Sequence, residues 1–241
     1  MSKNILVIGA NGGIAKSLIE QLCADANNQV FTVSRNASTQ AFANQTHTSL
    51  DSSDDPQVQA FVKDLHAKGI ALSTVICTTG VLHTSGDKTL KPEKRLEDMQ
   101  SEKFAEYFRV NTVVPAIWLK YLVKIMQKER AVVSFFSARV GSISENGLGG
   151  WYGYRASKAA LNMVVKTASI EYKRRSPNTI LGCYHPGTVD TDLSKPFQSN
   201  VKPGKLFTPA FSAEQLLKHI EGFEAEKSPY YFDWEGKAIA Y

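Results

Sequence analysis

Tyr154 and Lys158 stand four residues apart in the stretch GGWYGYRASKAALN, residues 149–162. On a helix, positions i and i+4 share one face. A tyrosine hydroxyl ionises near pH 10, too high for ready proton transfer at neutral pH. An ammonium group one helical turn away stabilises the phenolate and lowers that value. The pair is therefore a candidate acid–base unit that moves a proton to or from a substrate oxygen. The chain holds nine tyrosines and is rich in lysine, so an accidental pair is a real alternative. The rest of the sequence has to decide.

A second stretch suits an anionic ligand. In VIGANGGIAKSLIEQL, Gly9, Gly13 and Ala15 have the spacing G-x-x-x-G-x-A between an apolar run and a helical pattern. Glycine lets the backbone turn sharply and approach a pyrophosphate. The free N–H groups and dipole of the following helix then hold the phosphates. A glycine-rich turn placed directly after a first strand marks dinucleotide binding; a plain tight turn is the competing reading. The contacts expected here are Gly9, Asn11, Gly12, Gly13 and Ile14.

These residues need elements to carry them. NILVIG (4–9), QVFTVSR (29–35), STVICTTG (73–80), RAVVSFFS (130–137) and NTILGCYHPG (178–187) read as buried strands, with THTSLD (46–51) a weaker one. Helical patterns run over 13–25, 55–68, 100–128, 152–175 and 212–222. Pro56, just after Asp54 and Asp55, makes a helix start. Near-continuous apolar strands alternating with amphipathic helices argue a parallel sheet covered on both faces. The expectation is an α/β, three-layer, doubly wound fold in one domain spanning 1–241, since no repeat, low-complexity segment or linker interrupts it. KPEKRLEDMQSEK (91–103) mixes charges of both signs and reads as a solvated face.

Composition narrows the function classes. The 241 residues are 43% hydrophobic and 21% charged, as in soluble globular proteins. A chain of this length can bury a core without disulfides or metal. Cys23, Cys77 and Cys183 show no metal spacing and cannot all pair, and the five histidines form no cluster. We therefore expect no metal and a reducing, cytoplasmic setting. The first apolar run breaks into glycines after Ala10, unlike a signal peptide, and no stretch approaches the ~20 apolar residues of a membrane span. The net charge is +5, but basic residues are scattered among acids. That pattern argues against a nucleic-acid surface and suits an anionic cofactor.

Taken in order, IGANGGIA, CTTG, Asn111, Ser137, YRASK and HPG resemble the motifs of the short-chain dehydrogenase/reductase family. Those motifs are T-G-x-x-x-G-x-G, N-N-A-G, a mid-chain Asn, a Ser, Y-x-x-x-K and a P-G turn. The likeness covers nearly the whole chain. ARVGSISENGLGGWYGYRASKAALNM and the ending YFDWEGKAIAY resemble the C-factor/sniffer-like carbonyl reductases within it. Ile8 departs from the usual threonine, Ala15 from the third glycine, and CTTG keeps only the last residue of N-N-A-G. Relatives read S-S before the RVGS-like stretch, and their second serine carries the chemistry; here the doublet is Ser137–Ala138.

The resemblance implies a Rossmann fold with a mainly parallel seven-stranded sheet. It implies that Tyr154 protonates a substrate carbonyl oxygen as hydride arrives at its carbon, while Lys158 bonds the nicotinamide ribose. Ser137 would hold the carbonyl oxygen through a one-residue shift, with Ser142 its alternative. Asn111 would hold a water that links Lys158 to solvent. Thr78, Thr79 and Gly80 would border the cofactor, Asp51 would bond the adenine amine, and Pro186, Gly187, Val189 and Thr191 would meet the nicotinamide. Segment 192–207 reads as a flap over the substrate. A homodimer or homotetramer through the two central helices is implied in the same way.

The expected cofactor is NADP(H) in preference to NAD(H). In dinucleotide folds the end of the second strand meets the adenosine ribose, and an acid there bonds the 2′-hydroxyl. Here TVSRN supplies Ser34, Arg35 and Asn36 and no acid. Arginine's planar donors suit a phosphate. The leading reading is a carbonyl reductase. The altered serine doublet keeps open a weakly active or inactive dinucleotide-binding sensor of the same fold, and a sugar-nucleotide epimerase is disfavoured because the chain leaves little room for a further domain.

Overall fold

The computed structural model describes residues 3–84 and 89–241. Its strands, in chain order, are β1 (Lys3–Ile8), β2 (Asn28–Ser34), β3 (Gln45–Ser49), β4 (Thr74–Cys77), β5 (Ala131–Phe136), β6 (Thr179–His185), β7 (Thr188–Val189), β8 (Leu206–Phe207) and β9 (Tyr230–Asp233). Seven of them form one sheet in the order β3-β2-β1-β4-β5-β6-β9, and every neighbouring pair is parallel. Successive side chains on a strand point to opposite faces. A sheet covered on both faces therefore needs apolar residues at every strand position, which is why NILVIG shows no alternation.

The helices are α1 (Gly13–Cys23), α2 (Asp55–Ala67), α3 (Ser101–Phe108), α4 (Val114–Leu122), α5 (Tyr152–Arg175) and α6 (Pro209–Glu221). On one face Ile5 and Val7 pack with Leu18 and Ile19 of α1 and Leu216 and Ile220 of α6. On the other, Leu6 and Ile8 join Val58 and Phe61 of α2, Trp118 and Leu122 of α4, and Leu161 and Val165 of α5. Asp54 caps α2 by accepting the Gln57 N–H at 3.1 Å, with Pro56 in the first turn. Cys77 and Cys183 are buried among apolar neighbours.

Two helix boundaries differ from the sequence reading. The pattern over 100–128 is not one helix: α3 and α4 are joined by a π-helical turn, Arg109–Val113, and the chain leaves the helix after Leu122. Pro115 has no N–H to offer the carbonyl of Asn111, and the Val114 N–H bonds Arg109 O instead, five residues back. Helix α6 starts at Pro209, earlier than 212, because the Thr208 hydroxyl caps it by accepting the Phe211 N–H.

Candidate active site

Every expected site residue lies where a strand ends at its carboxyl side or on the helix beyond it. Open parallel sheets bind ligands at that edge, at the point where strand order reverses; here that point lies between β1 and β4. The turn after β1 is tight. Gly9 has φ +85°, and a Cβ on it would lie 2.7 Å from Thr78 Oγ1. The Thr78 hydroxyl donates to Ile8 O at 2.9 Å, tying the turn to β4. Asn11 Nδ2 donates to Ser34 Oγ and to Ala37 O, each at 3.0 Å, tying it to the end of β2. Gly12 caps α1 with no side chain, and no acid occupies the first turn. The N–H groups of Gly13 and Ile14 thus open a helix end suited to phosphate.

A cleft of about 390 Å³ runs from this turn along the sheet edge. Gly9, Asn11, Gly12, Ser34, Arg35, Asn36, Asp51, Thr78, Thr79 and Gly80 all line it. Hydrogen bonds from the Ser53 N–H and hydroxyl, with the charge of Arg35 adding, hold the Asp51 carboxyl below the usual carboxylate range. Arg109 lines the cleft as a second cation that sequence reasoning missed; it is paired with Glu106 at 2.7 Å. On the far side, a Cβ on Gly13 would lie 2.7 Å from Thr191 Cγ2, so the segment after β6 reaches the start of α1. Gly187 is held at φ +76° against Phe207 and Trp234. Val189 is buried in β7, and Pro186 O accepts from the Ser212 hydroxyl at 3.4 Å. These contacts form a glycine cradle that a dinucleotide fits.

Tyr154 and Lys158 sit together on α5, both buried. Lys158 Nζ lies 5.9 Å from the centre of the Tyr154 ring and donates to Phe136 O, at the end of β5, at 2.7 Å. Burial pushes the Lys158 ammonium down to about 8 and raises the Tyr154 hydroxyl above its ordinary value. Asn111 lies at the centre of the π-helical turn. Its Oδ1 accepts the Val81 N–H at 2.8 Å, and its Nδ2 donates to Val81 O and to Ser157 Oγ, each at 3.0 Å. A Cβ on Gly80 would be 3.3 Å from Lys158 Nζ and 3.5 Å from Asn111 Oδ1. Asn111, Lys158 and Gly80 therefore converge.

Ser137 is a correction. Its hydroxyl donates to Asn162 Oδ1 at 2.7 Å. Asn162 stands eight residues beyond Tyr154 on α5, which is two turns, or roughly 12 Å, along the axis. Ala138, one residue on, belongs to the buried apolar cluster that includes Tyr154. No bulge produces a one-residue shift, since Ala138 is extended at φ −154° and the side chains alternate. Ser142, the alternative, is buried, and its hydroxyl accepts the Glu145 N–H at 3.1 Å.

The Tyr154 ring joins a chain of aromatic rings drawn from three separate segments. The Trp151 ring is 6.1 Å from that of Tyr154 and 5.0 Å from that of Phe197, and Phe197 meets His83 at 5.8 Å. His83 Nε2 also reaches Asp192 O at 2.9 Å. Phe197 stands on a 3-10 turn, Lys195–Asn200, inside the segment 192–207. No periodicity brings such distant positions together; the one signal in sequence was an aromatic in an otherwise polar stretch. Among the described residues, no group of three or more His, Cys, Asp or Glu side chains is arranged to hold a metal ion, and no helix is long and apolar enough to cross a membrane.

Comparison with known proteins bears on this geometry. The chain is 30% identical over 227 residues to 1-hydroxy-2-glutathionyl-2-methyl-3-butene dehydrogenase of Rhodococcus sp. (strain AD45), covering 93% of each protein. Its fold matches the carbonyl reductase Sniffer of D. melanogaster with a TM-score of 0.84 and 22% identity over the whole of both chains. It matches the NADPH-bound carbonyl reductase from chicken fatty liver with a TM-score of 0.83 and 23% identity, covering 100% of this chain and 99% of that one. The family model for short chain dehydrogenase matches residues 3–202. With Tyr154 and Lys158 paired on α5 beside a glycine-lined cleft, the chain belongs to the short-chain dehydrogenase family of oxidoreductases, which act on CH–OH and C=O groups.

Proposed function

We propose that this protein is an NADP(H)-dependent carbonyl reductase acting on a small, apolar carbonyl compound. The observation that carries the reading is the buried pair of Tyr154 and Lys158, with Lys158 pinned to Phe136 O at 2.7 Å. A bound nicotinamide would supply or accept the hydride. The chain's own residues handle position and protons. The Tyr154 hydroxyl, kept protonated by burial, donates its proton to the substrate oxygen. Lys158 stays largely charged at neutral pH, and that charge favours the phenolate left behind. Turnover is completed when the Tyr154 phenolate regains a proton from solvent by way of Lys158, along a path bordered by Asn111 and Gly80. Trp151 and Phe197 give the substrate's carbon skeleton an apolar wall and exclude water.

Preference for NADP(H) rests on Arg35, exposed at the end of β2 with no acid in its place. The chicken reductase with bound NADPH supports this reading. One charge-assisted contact is worth about 1.5–3 kcal/mol, or roughly one to two orders of magnitude in affinity. The same reading includes a homodimer or homotetramer. The test is consumption of NADPH and NADH with a panel of aldehydes, ketones and diketones. Tyr154→Phe should cut turnover by ~10²-fold or more with cofactor still bound, and Arg35→Ala should erase the NADPH preference. Near-normal turnover by Tyr154→Phe, or equal use of NADH by the wild type, overturns the corresponding part.

A further inference from the structure

Helix α5 carries Tyr154 and Lys158 in its first two turns, yet its own sequence starts it poorly. The chain enters through three consecutive left-handed residues, Gly149, Gly150 and Trp151, at φ +65°, +66° and +54°. Glycine adopts that conformation freely, whereas a tryptophan there is strained. Trp151 is also the N-cap position and makes no side-chain cap, so the first N–H groups of a 24-residue helix need acceptors from elsewhere.

Glu93 supplies two of them. Its backbone oxygen accepts the Trp151 N–H at 2.5 Å, and its carboxylate Oε2 accepts the Gly153 N–H at 3.1 Å. The residue is only 2% exposed, although it comes from the charge-rich stretch that reads as a solvated face. This is N-terminal capping provided from outside the helix, with a carboxylate at the positive end of the helix dipole. The other carboxylate oxygen, Oε1, is buried and has no hydrogen-bond partner among the described residues. Burying an unpaired polar atom costs stability, so packing alone does not account for an acid here.

The contacts around the carboxylate lead to Tyr154. A Cβ on Gly153 would lie 2.5 Å from Tyr107 Cδ2 and 2.9 Å from Glu93 Oε1, so the clamp closes only on glycine. The Tyr107 hydroxyl is fixed to Leu82 O at 2.8 Å. Its ring stands edge-on to the Tyr154 ring at 6.2 Å. Glu93, Gly153 and Tyr107 thus form a rigid back wall behind Tyr154.

The structure assigns Glu93 as the positioning residue that holds the first turn of α5, and with it Tyr154, in place for proton transfer. The assignment rests on the proposed role of Tyr154. Glu93→Gln keeps an acceptor for the Gly153 N–H at nearly the same volume, while Glu93→Ala removes it. With benzil as probe substrate and NADPH, Glu93→Ala should lower kcat roughly 10-fold to 10²-fold while KM for NADPH barely moves, and Glu93→Gln should recover most of the loss.

A second readout needs no turnover. Tyrosinate absorbance of each protein, less that of the same protein carrying Tyr154→Phe, isolates Tyr154. In the wild type and Glu93→Gln it should stay protonated across the accessible alkaline range. In Glu93→Ala, water reaching the loosened turn should let it ionise nearer the ordinary tyrosine value of about 10. If Glu93→Ala does not fold, Glu93→Asp, which withdraws the carboxylate by one methylene, replaces it in both assays. A Tyr154 titration unchanged by loss of the carboxylate, or equal loss in Glu93→Gln and Glu93→Ala, overturns the assignment. A wild type inert toward benzil would count against the proposed activity and leave the titration to decide the role of Glu93.

Discussion

At the scale of single residues, the hydroxyl near the reacting oxygen is the sharpest question. Ala138 belongs to the buried apolar cluster that includes Tyr154, and Ser137 is committed to Asn162. A developing oxyanion that lacks one donor loses roughly 10²-fold or more in enzymes that depend on it. We therefore expect Ser137→Ala and Ser142→Ala to leave kcat for carbonyl reduction within a few-fold of wild type. Ala138→Ser should raise it roughly 10-fold or more, and a panel of steady-state assays checks all three. Lys158 makes a second prediction. Its folded-state value of about 8 lies below the ordinary 10.5. Below pH 8 both folded and unfolded chains hold the proton, and the fold bears the full cost of a buried charge. Between about 8 and 10 the unfolded chain binds more protons, so stability contributed at this site rises with pH. Denaturant unfolding of the wild type against Lys158→Met should show the wild type gaining up to roughly 1.4 kcal/mol per pH unit across that window. A flat difference would mean that Lys158 is not depressed.

At the scale of elements, the π-helical turn decides where Asn111 points. A π-turn inserts one residue into a helix and rotates the turns downstream of it. Here it delivers a buried amide to both backbone groups of Val81, just beyond β4, and to Ser157 on α5. The side chain is thus a structural pin between three segments as well as a candidate relay. Asn111→Leu keeps the volume and strands the Val81 N–H. We expect a loss of about 2 kcal/mol, seen as a Tm fall of about 4–8 °C for a chain of this size. A Tm within a degree of wild type would show that the amide does not pin the turn.

At the scale of the whole molecule, apolar side chains left on the surface of α5 bear on assembly. Met163 and Ile170 are 63% and 58% exposed and stand seven residues apart, hence on one face of the helix. Val113, at the end of the π-helical turn, is 47% exposed. A mass above the 26.6 kDa of one chain is expected from sedimentation, and Met163→Glu with Ile170→Glu should reduce it to that value. A wild type that sediments as a single chain would reject assembly through this face.

Much of this protein was legible in its residues. Apolar runs without alternation specified a parallel sheet covered on both faces, because period-2 geometry allows nothing else. Glycines at fixed offsets after β1 specified a tight turn into α1, and a four-residue spacing put Tyr154 beside Lys158, because both are short-range backbone geometry. Relations between distant segments were decided only in three dimensions. Strand alternation with the packing of α5 on β5 turned the Ser137 hydroxyl to Asn162. The charge-rich stretch after residue 90 reads as solvated because charges prefer water. The buried start of α5, without a cap of its own, drew Glu93 out of that stretch, since unpaired helix N–H groups require an acceptor wherever the chain can deliver one.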